Sequence, residues 1–332
     1  MLDPNLELAD LHIHVGAAVA PHILWSIAHD QGFKLPVQTY WEFRDLVTAK
    51  PETVSSLADY LAILHHWTEK IQSSPAAIER SVYEVIGKEF RSSGVSLIEL
   101  RFNPMKRNLG GERDLDHIIH AALRGMDRAC LEYGVRAGLI FCLAREFSLE
   151  LNEILVKKAV KYRSRGVVGI DLAGPESHTL ELGAEVAGYG DLFARARAAS
   201  LGTTVHTGET QYTAVPGVLA VLKELAPARI GHGVAAAASE EAVRKLVEAG
   251  TVLEICPSSN LRTRAVANLD ALGVALRTFE NAGVRYTINT DGPYLLNTHL
   301  RSEYQLLLDA NILSDAEAER SVAVARAATF IK

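Results

Sequence analysis

Residues 149–173 read Leu-Glu-Leu-Asn-Glu-Ile-Leu-Val-Lys-Lys-Ala-Val-Lys-Tyr-Arg-Ser-Arg-Gly-Val-Val-Gly-Ile-Asp-Leu-Ala. Leu149–Ser164 repeats its apolar residues at helical spacing, and Gly166 stands where a helix is capped at its C-terminus. Val167–Ala173 is almost continuously apolar, as a parallel strand covered on both faces must be. The same unit recurs along the chain. Runs of strand type fall at Leu8–Val15, Val95–Phe102, Arg136–Leu143, Val167–Ala173, Thr203–Thr207, Arg229–Val234, Thr251–Cys256 and Val284–Thr290. Helical stretches such as Asp116–Tyr133, Gly190–Ala199, Glu240–Ala249 and Ala267–Ala282 lie between them. Gly134, Gly166, Gly202, Gly250 and Gly283 each follow a helical run and are expected to cap it. Strand and helix alternating eight times predict an α/β fold, a (β/α)8 TIM barrel, with residues 1–332 as one domain.

One connection breaks the rhythm. Residues 16–94, between the first and second strands, carry helical patterns and the aromatics Trp25, Phe33, Tyr40, Trp41, Phe43, Tyr60 and Trp67. An insertion after a barrel strand falls on the C-terminal face, over the site. It reads as a helical lid whose aromatics largely form its own small core.

The 332 residues are 48% hydrophobic and 22% charged, with a net charge of -6 and no basic block. That argues against nucleic acid or an anionic membrane as partner and leaves a small molecule. No apolar run reaches the roughly 20 residues of a membrane helix. Three cysteines, Cys130, Cys142 and Cys256, give no disulfide framework, and a cytoplasmic protein is expected.

The chemistry sits where the strands end. His12 and His14 are two apart on the first strand, so both side chains leave the same face. His206 ends the fifth strand and Asp291 the eighth. Three imidazoles and a carboxylate suit one divalent metal ion, zinc above all, which lowers the pKa of a bound water to about 7. Glu209, three residues beyond His206, is placed to move protons. Alone, it would read as a helix-start carboxylate. His232, in Arg-Ile-Gly-His-Gly (229–233), could orient the attacking water. Gly174, in Asp-Leu-Ala-Gly-Pro-Glu (171–176), offers exposed backbone to a planar ring.

These pieces, in this order, resemble the adenosine deaminase family of amidohydrolase-type barrels. The motifs are Leu-His-Ile-His (11–14), Asp-Leu-Ala-Gly-Pro-Glu (171–176), His-Thr-Gly-Glu (206–209), Arg-Ile-Gly-His-Gly (229–233), Cys-Pro-Ser-Ser-Asn (256–260) and Ile-Asn-Thr-Asp (288–291). The resemblance implies zinc on His12, His14, His206 and Asp291, with one ion per chain. It implies hydrolytic release of ammonia from a 6-aminopurine, with zinc hydroxide attacking C6 and Glu209 protonating N1. His232 and Asp291 would position and deprotonate the water. Gly174 and His14 would face the purine, and Leu57, Tyr60 and Leu61 would form an apolar wall over it.

Two positions depart from the pattern. Gly16 and Gly292 stand where many relatives place carboxylates for the ribose 5′-hydroxyl and for the purine N7. The stretch His12-Ile-His-Val-Gly-Ala-Ala18 is similar to the corresponding motif of AMP deaminases. The two glycines also promise free volume. Together these features turn the expectation from plain adenosine towards free adenine, AMP or a modified nucleoside such as aminodeoxyfutalosine. Two other readings are another barrel metallohydrolase that cleaves an amide or ester, with one metal or two, and a catalytically inactive purine-binding relative. Against the first, the fourth strand ends without a bridging lysine; against the second, the full set of site residues is retained. The zinc deaminases that act on nucleic acids use a Pro-Cys-x-x-Cys motif that this chain lacks.

Overall fold

The computed structural model describes residues 2–109, 111, 114–178 and 186–332. Eight parallel strands form one sheet in sequence order: β1 (Leu8–His14), β2 (Val95–Phe102), β3 (Arg136–Ala144), β4 (Val167–Ala173), β5 (Gly202–Thr207), β6 (Arg229–His232), β7 (Val252–Ile255) and β8 (Tyr286–Ile288). The sheet closes just beyond β8. There the Asp291 amide donates to the His12 carbonyl at 2.8 Å, and the His14 amide donates to the Asp291 carbonyl at 2.7 Å. The expected (β/α)8 barrel is therefore present, with the helices Leu115–Tyr133, Leu149–Tyr162, Gly190–Ala198, Glu240–Ala249 and Leu269–Ala282 close to their sequence boundaries.

The last three strands are shorter than their apolar runs. β6 stops at His232, whose φ of 61° turns the chain out of the ladder. Past β8 the Asn289 side chain accepts the Leu11 amide at 3.0 Å, doing with Oδ1 what a strand carbonyl would do. One cap was misplaced. Ser200, not Gly202, takes the left-handed conformation after its helix, with φ of 59°. Gly202 instead begins β5, because a Cβ there would overlap the Phe330 ring.

That contact belongs to a plug at the N-terminal end of the barrel. The Glu99 carboxylate accepts from the Phe330 amide at 2.5 Å and the Thr329 hydroxyl at 2.6 Å, and the Arg229 guanidinium lies 3.6 Å from the Phe330 ring centre. Above the plug, Arg101 on β2 reaches across to Asp171 on β4 at 3.0 Å and to Glu254 on β7 at 2.9 Å. All three are fully buried. Charges in that position persist only when paired.

The segment between β1 and β2 holds the helices Pro21–Asp30, Tyr40–Leu46, Leu57–Ile63 and Pro75–Ser93. The last packs on Leu115–Tyr133 as part of the outer ring, with the Tyr83 and Tyr133 ring centres 6.1 Å apart. The Trp25 ring packs against those of Tyr40 and Phe43, as a small local core should. Among the described residues no helix is long and apolar enough to cross a membrane.

Gly202→Ala forces a methyl into the Phe330 ring and should cost about 1–3 kcal/mol of stability, the usual cost of overpacking. Urea unfolding measures it. An unchanged midpoint would show that the C-terminal plug is loosely held.

Candidate active site

The strand ends converge on four imidazoles. The ring centre of His12 lies 5.4 Å from that of His14, 4.6 Å from that of His206 and 4.9 Å from that of His232. His12 and His14 share a face of β1, and His206 and His232 end β5 and β6. Asp291 reaches the cluster from the loop after β8 in a left-handed conformation, φ 60°. His232 is similarly strained. Two non-glycine residues held in that region at one site indicate that the fold imposes their positions.

Carboxylates beneath the cluster orient the rings. His12 Nδ1 lies 2.7 Å from Glu254 Oε2, and His206 Nδ1 lies 3.1 Å from Asp171 Oδ1. Each Nδ1 therefore carries the proton and each Nε2 presents a lone pair. Burial, then the charges of Arg101 and the neighbouring imidazoles, hold His12 well below the ordinary histidine pKa. Burial, His206 and Arg101 do the same for His14. The rings are neutral and able to act as ligands.

The donor set fits a single divalent cation. His12 Nε2 is buried without a hydrogen-bond partner. His14 Nε2 and His206 Nε2 face each other at 3.1 Å. Asp291 Oδ1 lies 3.5 Å from His14 Nε2 and 3.7 Å from His12 Nε2. Tetrahedral ligands on bonds of about 2.1 Å stand roughly 3.4 Å apart. The ligand atoms of His12, His14 and His206 all lie within 4.8 Å of one another, as do those of His12, His232 and Asp291. His232 is thus close enough to compete for a place. Its Nδ1, however, is engaged by Asn260 Nδ2 at 3.0 Å, and its Nε2 lies 3.4 Å from Glu209 Oε2.

Glu209 sits just past β5 and is 4% exposed. Burial, with Glu176 and Asp291 nearby, raises its carboxyl well above the ordinary range and so favours the neutral acid. Thr263 donates to its Oε1 at 3.0 Å. Burial also pushes the His232 imidazole down to about 3, leaving it neutral. Ser259 donates to Asp291 Oδ2 at 2.6 Å and leaves Oδ1 directed at the imidazoles.

One cavity is lined by His14, His206, Glu209, His232 and Asp291 together with Gly174, Leu57, Tyr60, Leu61 and Leu64. All the anticipated site residues except His12 line it, and His12 lies beneath. Gly174 has a φ of 104°, and a Cβ there would press on Glu146. A second cavity adjoins the first across Leu61 and Leu64 and is lined in part by His65, Glu69, Asn103, Lys106 and Arg107. The free volume anticipated at Gly292 is absent, while Gly16 borders the second cavity with side chains close by. A Cβ on Gly16 would lie 2.8 Å from Leu64 and 2.9 Å from Arg107, and one on Gly292 would overlap the Tyr60 hydroxyl. Neighbouring side chains crowd both places.

Several contributors escaped the sequence reading. No role fell to Glu254, Asp171, Ser259, Asn260, Thr263, Glu176 or Leu64. Glu254 and Asp171 did carry a signal: each is a lone carboxylate in an apolar strand, and such a group needs a buried partner.

The family model for adenosine deaminase matches residues 7–332. An adenosine deaminase of Shewanella denitrificans is 30% identical over 96% of this chain and 92% of its own length. One from Enterococcus faecalis is 32% identical over 98% of this chain and 93% of its own. The crystal structure of an adenine deaminase from Arthrobacter aurescens superposes with a TM-score of 0.84 at 21% identity, covering 98% of this chain and 94% of that one, and shares the fold. With the motif order, the barrel and the donor cluster in place, this chain belongs to the adenosine deaminase family.

Proposed function

We propose that the chain is a zinc-dependent hydrolase that removes ammonia from C6 of a 6-aminopurine compound. The observation that carries the proposal is the placing of a buried Glu209 on the same cavity wall as His14, His206 and Asp291, with His12 beneath them. His12, His14, His206 and Asp291 would hold the ion. When bound, a divalent cation supplies Lewis-acid chemistry, acidifying a water that can add to an electrophilic ring carbon.

Glu209, neutral and buried, gives its proton to the ring nitrogen N1 as the water oxygen bonds to C6. The Asp291 carboxylate accepts the water's proton. Asp291 passes that single proton to the 6-amino group, the C6–N bond breaks and ammonia leaves, while N1 keeps the proton from Glu209 and the C6 hydroxyl proton returns to Glu209 as the carbonyl forms. His232 acts as a donor rather than a base. Asn260 Oδ1 accepts from the Cys256 amide at 3.4 Å, so its Nδ2 faces His232 Nδ1. The His232 proton therefore sits on Nε2, where it steadies developing negative charge.

Leu57, Tyr60 and Leu61, on helix Leu57–Ile63, form the wall of a lid over the base within the insertion of residues 16–94, whose last helix, Pro75–Ser93, packs on Leu115–Tyr133 instead. Covering the ring excludes water that would otherwise compete. The outer cavity favours a neutral substituent over the phosphate of AMP. Lys106 is already paired with Glu146 at 2.5 Å, and Arg107 with Glu69 at 2.6 Å. A nucleoside or the free base fits that balance of charge.

His206→Ala removes a ligand and should abolish stoichiometric zinc, measured by elemental analysis. Asp171→Asn keeps the ligand but loosens its ring, so zinc affinity should fall about 10–100-fold in a chelator competition. Unchanged zinc content in both variants would refute the ligand set. Glu209→Gln should keep zinc and fold while losing roughly 10²–10⁴ in turnover, followed as ammonia release. His232→Ala should also retain zinc. If that variant is metal-free, His232 is a ligand and one of the four is not.

A further inference from the structure

Tyr60 has a hydroxyl with nowhere to go. The residue is 3% exposed, and its oxygen is buried without a hydrogen-bond partner. Natural proteins seldom leave a buried hydroxyl unpaired unless something else fills the vacancy. The ring is fixed by the barrel. It packs among Ala17, Ala49, Val54, Leu64, Leu295 and Leu296, and those segments are tied together by the Ala49 amide donating to the Leu295 carbonyl at 2.8 Å and the Leu295 amide to the Ala17 carbonyl at 3.1 Å. The hydroxyl ends against Gly292, the residue after Asp291, so closely that no Cβ fits between them. It lines the same cavity as Glu209 and Asp291.

We infer that Tyr60 is a substrate-recognition residue whose hydroxyl donates to N7 of the purine, the ring acceptor on the far side of the 6-amino group from N1. The inference rests on the deaminase reading above. Glu209 approaches the metal donors from β5 beside His232, and Tyr60 approaches from the Asp291 side. A flat ring with C6 towards the donors and N1 towards Glu209 turns N7 towards Tyr60. Gly292 is therefore no gap in recognition: a phenol from the inserted helix occupies the place of a side chain there. A carboxyl in that place donates only when protonated. A phenol donates throughout the neutral range, and here burial and the charge of Asp291 push its pKa higher still.

The zinc-loaded protein and its Tyr60→Phe variant are compared on adenosine and 7-deazaadenosine, in which a CH replaces N7. The intrinsic reactivity of the two rings cancels when the ratio of kcat/KM values is compared between proteins. Tyr60→Phe should lower kcat/KM for adenosine about 10-fold, leave 7-deazaadenosine within about 3-fold, and so collapse the wild-type preference. Calorimetric binding of inosine and 7-deazainosine should show the same collapse without turnover. A preference equal in both proteins, by rate and by binding, overturns the inference. If wild type deaminates neither nucleoside, the deaminase reading fails for adenosine, and the binding ratio still decides the role of Tyr60. If wild type binds neither ring, the inference falls, and the deaminase reading falls for adenosine-type nucleosides.

Discussion

Glu254 and Asp171 each hold the Nδ1 of one imidazole, His12 and His206, and the rest of the site depends on that pair of contacts. They fix which nitrogen carries the proton and turn both Nε2 lone pairs to one point. The carboxylates are held in turn by Arg101 and Arg229, the latter also bound to Glu99. This network contains three carboxylates and two guanidiniums, and Asp291 adds a further negative charge at the mouth. A surplus of two negative charges below and beside four imidazoles is what a divalent cation neutralises.

The barrel makes that arrangement rigid. Its interior is crossed by ion pairs where many barrels stack aliphatic layers, and the Phe330 plug packs across the N-terminal end. At the other end, His232 and Asp291 sit in left-handed backbone. The ladder bonds between His12, His14 and Asp291 close the barrel and position these donor side chains at once, so closure and the proposed metal site are one structural event. The inserted segment rests on the same loops, and packing around Ala17 and Leu295 carries the precision of the barrel up to Tyr60.

Much of this was legible in the sequence because periodicity and residue type report directly on it. Continuous apolar runs gave the strands, and His12, His14, His206 and Asp291 stood at their ends. Strand ends were less legible. Those of β6 and β8 are set by the φ of His232 and by the Asn289 side chain, neither of which has a periodic signature. The cap at Ser200 was missed because Gly202 owes its identity to Phe330, more than 100 residues away. Gly16 and Gly292 read as missing carboxylates with free space beside them. What crowds them, Leu64, Arg107 and Tyr60, comes from elements distant in sequence. A long-range packing relation of that kind leaves no local trace.

The central claim is that His12, His14, His206 and Asp291 bind one ion while Glu209 and His232 stay free for the substrate. Anomalous diffraction at the zinc edge from crystals of the zinc-loaded protein tests it most directly. The account predicts a single peak bonded to Nε2 of the three histidines and to Oδ1 of Asp291. A peak bonded to His232 or Glu209, two peaks in the cavity, or none at all would contradict it.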